Sequence, residues 1–173
     1  MDRLNVEIKA KCSNQEHIRR ILQSKNADYR GTDHQIDTYF NVNTGRLKLR
    51  EGSTENCLIY YNRDNVKTPK QSEVILFPTK SNSSIKRILT KSNGVLIVID
   101  KRREIFFIDN VTFHLDKVDQ LGTFIEIEAQ SDAGTIEREE LKKQCQYYVN
   151  LFEIKENELV TCSYSDLLLE KST

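Results

Sequence analysis

Apolar and polar residues alternate along this chain with two different periods, and the switches between them mark out its elements. From Asn5 to Lys11 the period is two, with Val6, Ile8 and Ala10 set against Glu7, Lys9 and Lys11, which predicts a strand. Ser13 and Glu16 match a capping box, and Ile18, Ile21 and Leu22 form a helical stripe up to about Lys25. Asp37 to Val42 reads as a strand, Asn43-Thr44-Gly45 as a turn and Arg46 to Arg50 as the returning strand of a hairpin. Further strands are predicted over Cys57–Arg63, Ser72–Phe77, Val95–Phe107, Val111–Val118 and Thr123–Ala129. Pro78, Asp109-Asn110 and Leu121-Gly122 punctuate them. Ser83 to about Ser92 fits a helix carrying Ile85, Ile88 and Leu89 as its stripe and ended by Asn93-Gly94. The longest helix is expected over Thr135–Phe152, with Ile136, Leu141, Cys145, Tyr148, Val149 and Phe152 on its apolar side. A short helix is expected in the tail around Ser163–Leu168, and the segment Asp64–Ser72 is the one expected to be mobile. Roughly eight strands joined largely by tight turns, with three or four helices, make an α+β meander whose sheet is mainly antiparallel.

The polar face of these strands is unusual in carrying formal charge. Side chains alternate across a strand, so Glu7, Lys9 and Lys11 share one face, as do Arg46, Lys48 and Arg50, and as do Glu126 and Glu128. The apolar partners of each set must be buried, with the helices near residues 14–25, 83–92 and 135–152 available as outer cover. The charged face then either meets bulk water or lines a cavity. Carboxylates at the two ends of the chain and basic groups in its middle favour the cavity, because that separation suits a metal-bound polyphosphate. Carboxylate oxygens bind hard divalent cations, and Lys and Arg hold phosphate oxygens.

Bulk composition narrows the class. The 173 residues are 38% hydrophobic and 30% charged, enough for one domain over 1–173 with a very polar surface or with charge inside. The 26 basic and 26 acidic residues cancel, which argues against a nucleic-acid partner, since such proteins carry a basic excess. The four cysteines, Cys12, Cys57, Cys145 and Cys162, have no metal-binding spacing and read as reduced, mostly buried thiols. No apolar run reaches the roughly 20 residues of a membrane helix, and the start has no signal-peptide core, so a cytoplasmic protein without a membrane partner is expected.

Taken in order, these segments resemble the CYTH superfamily of triphosphate tunnel enzymes, which includes class IV (CyaB-type) adenylate cyclases and thiamine triphosphatases. The resemblance rests on Glu7-Ile8-Lys9-Ala10-Lys11 at the place of the signature ExExK, and on Gln35–Phe40, Gly45–Arg50 and Lys101–Glu104. It continues through Leu115-Asp116, Leu121–Glu128 and Ser163–Leu168. D-T-Y-F, L-K-L-R and S-Y-S-D-L-L are closer to the CyaB branch. The resemblance implies a closed eight-stranded antiparallel β-barrel forming a tunnel, with helices packed outside. It implies Mg²⁺ or Mn²⁺ on Glu7, Glu126 and Glu128 with Asp116 assisting, and phosphate on Lys11, Lys48, Arg50, Arg63, Lys101 and Arg103, with Lys70 a weaker candidate. Glu7, Lys11, Glu126 and Glu128 would form the catalytic set. The substrate would be a small-molecule triphosphate, and a homodimer is compatible with the pattern.

Lys9 departs from the signature, whose second position is Glu. A protonated lysine cannot ligate a metal; it could lower the number of bound metals, pair with a neighbouring glutamate or clamp a phosphate. The activity implied is conversion of ATP to cyclic AMP and pyrophosphate by attack of the ribose 3′-hydroxyl on the α-phosphate. The alternatives are hydrolysis of an organic or inorganic triphosphate, and a barrel that binds nucleotide or polyphosphate without turnover. Glu126 is expected to sit among like charges, so Glu126→Gln should leave stability unchanged or raised. His17 and His34 read as bystanders, and His114, which shares strand parity with Asp116, as a structural or hydrogen-bonding residue.

Overall fold

The computed structural model describes residues 4–62, 74–131 and 135–172. Among these residues nine strands join in one sheet: β1 (Leu4–Lys11), β2 (Asp28–Phe40), β3 (Arg46–Gly52), β4 (Asn56–Tyr61), β5 (Val74–Pro78), β6 (Val95–Ile108), β7 (Val111–Val118), β8 (Gly122–Ser131) and β9 (Leu159–Val160). Four helices accompany them: α1 (Gln15–Ser24), α2 (Ile85–Asn93), α3 (Arg138–Leu151) and α4 (Tyr164–Ser172). The strand order is β5-β4-β3-β2-β6-β7-β8-β1-β9. The α+β class and the antiparallel pairing match the expectation. The expected eight strands become nine, because Leu159-Val160 adds a short ninth strand against Lys9 and Ala10 of β1. The order has two ends, β5 and β9, so among the described residues hydrogen bonds do not close the sheet into a ring.

The chain divides into two compact units. The first comprises Met1–Thr32, Arg103–Val118 and Gly122–Thr161. Its core follows from the period of two: the register puts Val6 opposite Ala129, Ile8 opposite Ile127 and Ala10 opposite Ile125. On the other side of β8, Val111, Phe113 and Leu115 face those same three residues. One apolar face therefore runs across β1, β8 and β7. It is covered by Ile18 and Leu22 of α1, at i and i+4, and by Leu141, Cys145 and Val149 of α3, with Phe152 just beyond its end. The Phe113 ring meets Tyr148 and Phe152 edge-on, with centroids 4.6 and 5.7 Å away. Full burial of a Leu or Phe here stabilises by about 1.5–3 kcal/mol. The N-cap of α1 is Asn14, whose Oδ1 accepts from the His17 amide at 3.1 Å, rather than the expected Ser13.

The second unit comprises Asp33–Arg102, Asp119–Leu121 and Cys162–Thr173. Its hairpin turns at Gly45, whose φ of 65° lies in the left-handed region. A Cβ there would also lie 2.6 Å from the Tyr60 hydroxyl, so a side chain at this position would have to displace the Tyr60 ring. Phe40, Leu49, Ile99, Tyr164 and Leu168 are buried in this unit. α2 forms where expected and ends at Gly94, but it buries none of its residues, and Ile88 on its stripe is 60% exposed. The cover expected from this helix is therefore partial, with Ile85 and Leu89 half-buried. β5 is exposed along its whole length. All four cysteines are free thiols, three of them buried. No helix among the described residues is long and apolar enough to cross a membrane.

Candidate functional site

Two groups of charged side chains grow from this framework, one in each unit. In the first unit the face opposite the apolar core carries three successive rungs across β1, β8 and β7. They are Glu7, Glu128 and Thr112, then Lys9, Glu126 and His114, then Lys11, Phe124 and Asp116. The middle rung closes on itself. Lys9 Nζ lies 3.1 Å from Glu126 Oε1, and Arg103 of β6 donates from Nη2 to Glu126 Oε2 at 2.7 Å. The same guanidinium grips Asp116 through Nε and Nη2 at 2.7 and 2.6 Å, and His114 Nδ1 is 3.4 Å from Glu126 Oε2. Burial pushes the Glu126 carboxyl up, but Arg103, Lys9 and His114 outweigh it and hold it well below the usual carboxylate range. Gln15 at the start of α1 fixes the edge of this group by donating to the backbone carbonyls of Asp116 and Phe124 at 2.9 and 3.0 Å.

The outer rungs are more open. Glu7 and Lys11 are exposed, and Glu128 is half-buried and accepts from the Asn5 amide. Directly opposed like charges such as Glu7 and Glu128 destabilise a sheet unless a cation lies nearby.

The second group is built around Asp37, whose side chain is only 2% exposed. The β2/β3 register places Asp37 opposite Arg50 and Tyr39 opposite Lys48. Arg50 donates from Nε and Nη2 to the two Asp37 oxygens at 2.8 and 2.9 Å, Lys48 Nζ reaches Oδ2 at 2.9 Å and Lys101 Nζ stands 3.6 Å from it. Burial pushes the Asp37 carboxyl up, but Lys48, Lys101 and Arg50 together hold it well below its ordinary value. Three cations thus gather on one buried carboxylate, and Arg50 also meets the half-exposed Glu55 at 3.0 Å. Lys48 also lies over the Tyr39 and Tyr61 rings at 5.4 and 6.0 Å, and Lys101 over the Tyr164 ring at 5.6 Å. Burial and the neighbouring Tyr39 push the Tyr61 hydroxyl up to about 12, so it stays a neutral donor.

Of the residues singled out by sequence, Lys9, Arg103, Asp116 and Glu126 converge in one group, and Lys48, Arg50 and Lys101 in the other. Glu7 and Glu128 are cross-strand partners at the next rung, and Lys11 stands at the opposite rung. Arg63 and Lys70 lie outside the described residues, as does the Asp64–Ser72 segment. Lys9 pairs with a neighbouring glutamate, one of the three roles open to it. Asp37 had no role in the sequence reading. Its signal was available in D-T-Y-F, where Asp37 and Tyr39 share parity on a strand beside the basic one. Arg46, which shares the face of Lys48 and Arg50, instead binds the start of α4, donating to Ser163 Oγ at 2.6 Å and to Asp166 at 2.8 and 3.0 Å.

The donor chemistry selects how a metal could be held. Among the described residues, no three of His, Cys, Asp and Glu converge to form a metal cage. Mg²⁺ ordinarily takes one or two carboxylates and completes its shell with substrate phosphates and water. Glu7 and Glu128, opposite one another, fit that demand.

No curated protein matches the chain closely enough to count as a relative. Solved structures do. PH1012 from Pyrococcus horikoshii OT3 superposes with a TM-score of 0.78 at 24% identity, covering 95% of this chain and 99% of the other. A candidate adenylate cyclase from Vibrio parahaemolyticus gives 0.72 at 21% identity, covering 97% and 99%. HpAC1 from Hippeastrum, a candidate adenylyl cyclase with a dominant triphosphatase activity, gives 0.65 at 14%, covering 99% and 96%. These likenesses establish the fold. The family model of the CYTH domain matches residues 3–160, and with the signature strand β1 and the rungs on β8 inside that span, the chain belongs to the CYTH domain family.

Proposed function

We propose that this protein is a divalent-metal-dependent enzyme acting on a small-molecule triphosphate, and that its reaction is the conversion of ATP to cyclic AMP and pyrophosphate. The observation that carries the reading is the Asp37 group, in which Lys48, Arg50 and Lys101 converge on one buried carboxylate and are fixed side by side. Guanidinium and ammonium groups set so close together match the oxygens of a phosphate chain. Asp37 holds the three cations in place before substrate arrives, so little reorganisation is needed on binding. Tyr39, Tyr61 and Tyr164 border the same cations and offer apolar surface to the organic part of a substrate. Glu7 and Glu128 would hold Mg²⁺ or Mn²⁺, which would supply charge neutralisation when bound. The closed tunnel implied by the resemblance belongs to this proposal.

In the cyclase reaction the ribose 3′-oxygen bonds to the α-phosphorus, the bond to the β-phosphate oxygen breaks, and pyrophosphate leaves on the cations while the hydroxyl proton passes to water. The site's contribution is positioning and electrostatic stabilisation of the departing charge. Hydrolysis of the terminal phosphate would use the same clamps with water as nucleophile.

The test is product analysis after incubation with ATP, thiamine triphosphate or tripolyphosphate, with Mg²⁺ or Mn²⁺. Cyclic AMP and pyrophosphate in equal amounts from ATP are expected, with loss of product in Arg50→Ala. Orthophosphate release would assign a triphosphatase instead, and absence of both turnover and triphosphate binding would overturn the reading.

A further inference from the structure

The face that carries the Asp37 group changes chemistry as it crosses the sheet. The registers give three successive rungs: Asp37, Arg50, Cys57 and Pro78; then Tyr39, Lys48, Ile59 and Leu76; then Arg46, Tyr61 and Val74. Directly paired residues share a face, so these side chains stand on one side of β2, β3, β4 and β5. The β2–β3 half is charged. The β4–β5 half is not: burial and the nearby Glu55 push the Cys57 thiol up to about 11 and keep it neutral, as the Tyr61 hydroxyl is. Ile59 is 7% exposed, whereas Val74 and Leu76 on β5 are 50% and 59% exposed. Lys48 joins the two halves, with its ammonium 2.9 Å from Asp37 and 6.0 Å from the Tyr61 ring centre. Open aliphatic surface in unbroken register with convergent charged groups suits a ligand with one charged end and one apolar end. The axes of β3 and β5 lie two strand spacings apart, about 10 Å. A phosphate chain held on Lys48 and Arg50 can therefore lay an ester group over Ile59 and Leu76, whereas a bare chain would cover that half only by setting charge on aliphatic surface.

We propose that Ile59, Tyr61, Val74 and Leu76 form the subsite for the organic group of the substrate, so that this protein selects a triphosphate ester carrying a flat, largely apolar ring over an inorganic chain of phosphates. The inference rests on the triphosphate reading above. It adds that Leu76 and Val74 set specificity, by covering the ring with aliphatic surface that is open before substrate arrives, while the Asp37 group holds the phosphates.

The measurement is calorimetry, with Mg²⁺ present, on three probes that share one hydrolysis-resistant chain. They are imidotriphosphate, its methyl ester and its 3′-deoxyadenosine 5′-ester, which lacks the attacking hydroxyl. The methyl ester has the charge of an ester without a ring. In the wild type the nucleoside ester is expected to bind about tenfold tighter than the methyl ester, as burial of a ring on apolar side chains requires. Leu76→Ser is expected to lose about tenfold in affinity for the nucleoside ester. It should bind imidotriphosphate as the wild type does, which also reports that the variant is folded. Val74→Ser repeats the test at the next rung, with a smaller loss. Equal affinity of the two esters, or an equal loss of all three probes in Leu76→Ser, would overturn the subsite. Failure of all three probes to bind the wild type would overturn the triphosphate reading beneath it.

Discussion

At the scale of single residues, the charged positions were visible but their partners were not. Alternation placed Lys9, Lys48, Arg50, Lys101 and Arg103 on charged faces, because strand parity is local. Which carboxylate each one meets depends on register between strands far apart in sequence, so Asp37 was passed over and Glu126 was expected to suffer like-charge repulsion. With Lys9 and Arg103 on its oxygens the sign reverses: Glu126→Gln leaves two buried cations short of a counter-charge and is expected to cost about 3 kcal/mol. Asp37→Asn, which removes the buried carboxylate that Lys48, Arg50 and Lys101 share, is expected to cost about 3–5 kcal/mol. Both carboxyls are held below their unfolded values, so their contribution is complete above the unfolded carboxylate range near pH ~4 and disappears as pH falls through the folded values. Melting temperature measured from pH 6 down to 2 should therefore fall steeply in the wild type and less steeply in Asp37→Asn. Parallel curves would mean that Asp37 does not govern acid unfolding.

At the scale of elements, the long periodic segments were legible and the polar or very short ones were not. β1, β3, β7 and β8 emerged from apolar alternation close to their observed bounds, and α3 from its stripe. β2 begins at Asp28, nine residues before the expected Asp37, because Asp28 to His34 is almost wholly polar and strand pairing overrides a weak local signal there. β9, with two residues, has no period to detect. α2 shows the converse: its stripe is correct in sequence yet is only partly covered, with Ile85 and Leu89 half-buried and Ile88 exposed, since periodicity specifies a face without specifying what covers it. α4 is tied down by chemistry instead. Ser163 Oγ accepts from the Asp166 amide at 3.2 Å, Asp166 accepts from the Ser163 amide at 3.1 Å, and Arg46 of β3 clamps both side chains. Asp166→Ala removes the bonds that the carboxylate accepts from the Ser163 amide and from Arg46, and is expected to cost about 1.5–3 kcal/mol. Hydrogen exchange should show faster amides from Leu167 to Ser172 with β1 and β8 unchanged. Uniform protection loss would mean that α4 opens only with the whole protein.

At the scale of the whole molecule, the order of motifs from Glu7 to Leu168 identified the family, because motif order is a property of the chain. The strand order and the division into two units were not legible, because both depend on contacts between distant segments. What the molecule as a whole retains is charge balance, with 26 residues of each sign, alongside a local gathering of three cations on Asp37. An anion that binds these cations in the native state alone stabilises folding by mass action, by about 2.7 kcal/mol at a hundredfold excess over its dissociation constant. For a chain of this size each kcal/mol raises the melting temperature by roughly 2–4 °C. Tripolyphosphate at that excess should therefore raise it by about 5–10 °C, whereas orthophosphate, with fewer oxygens to span Lys48, Arg50 and Lys101, should raise it less at equal concentration. Arg50→Ala is expected to lose most of the tripolyphosphate shift, because it removes the planar fork that matches phosphate oxygens in pairs. Equal shifts from both anions, or a full shift in Arg50→Ala, would mean that the three cations brace the fold around Asp37 and do not select a chain of phosphates.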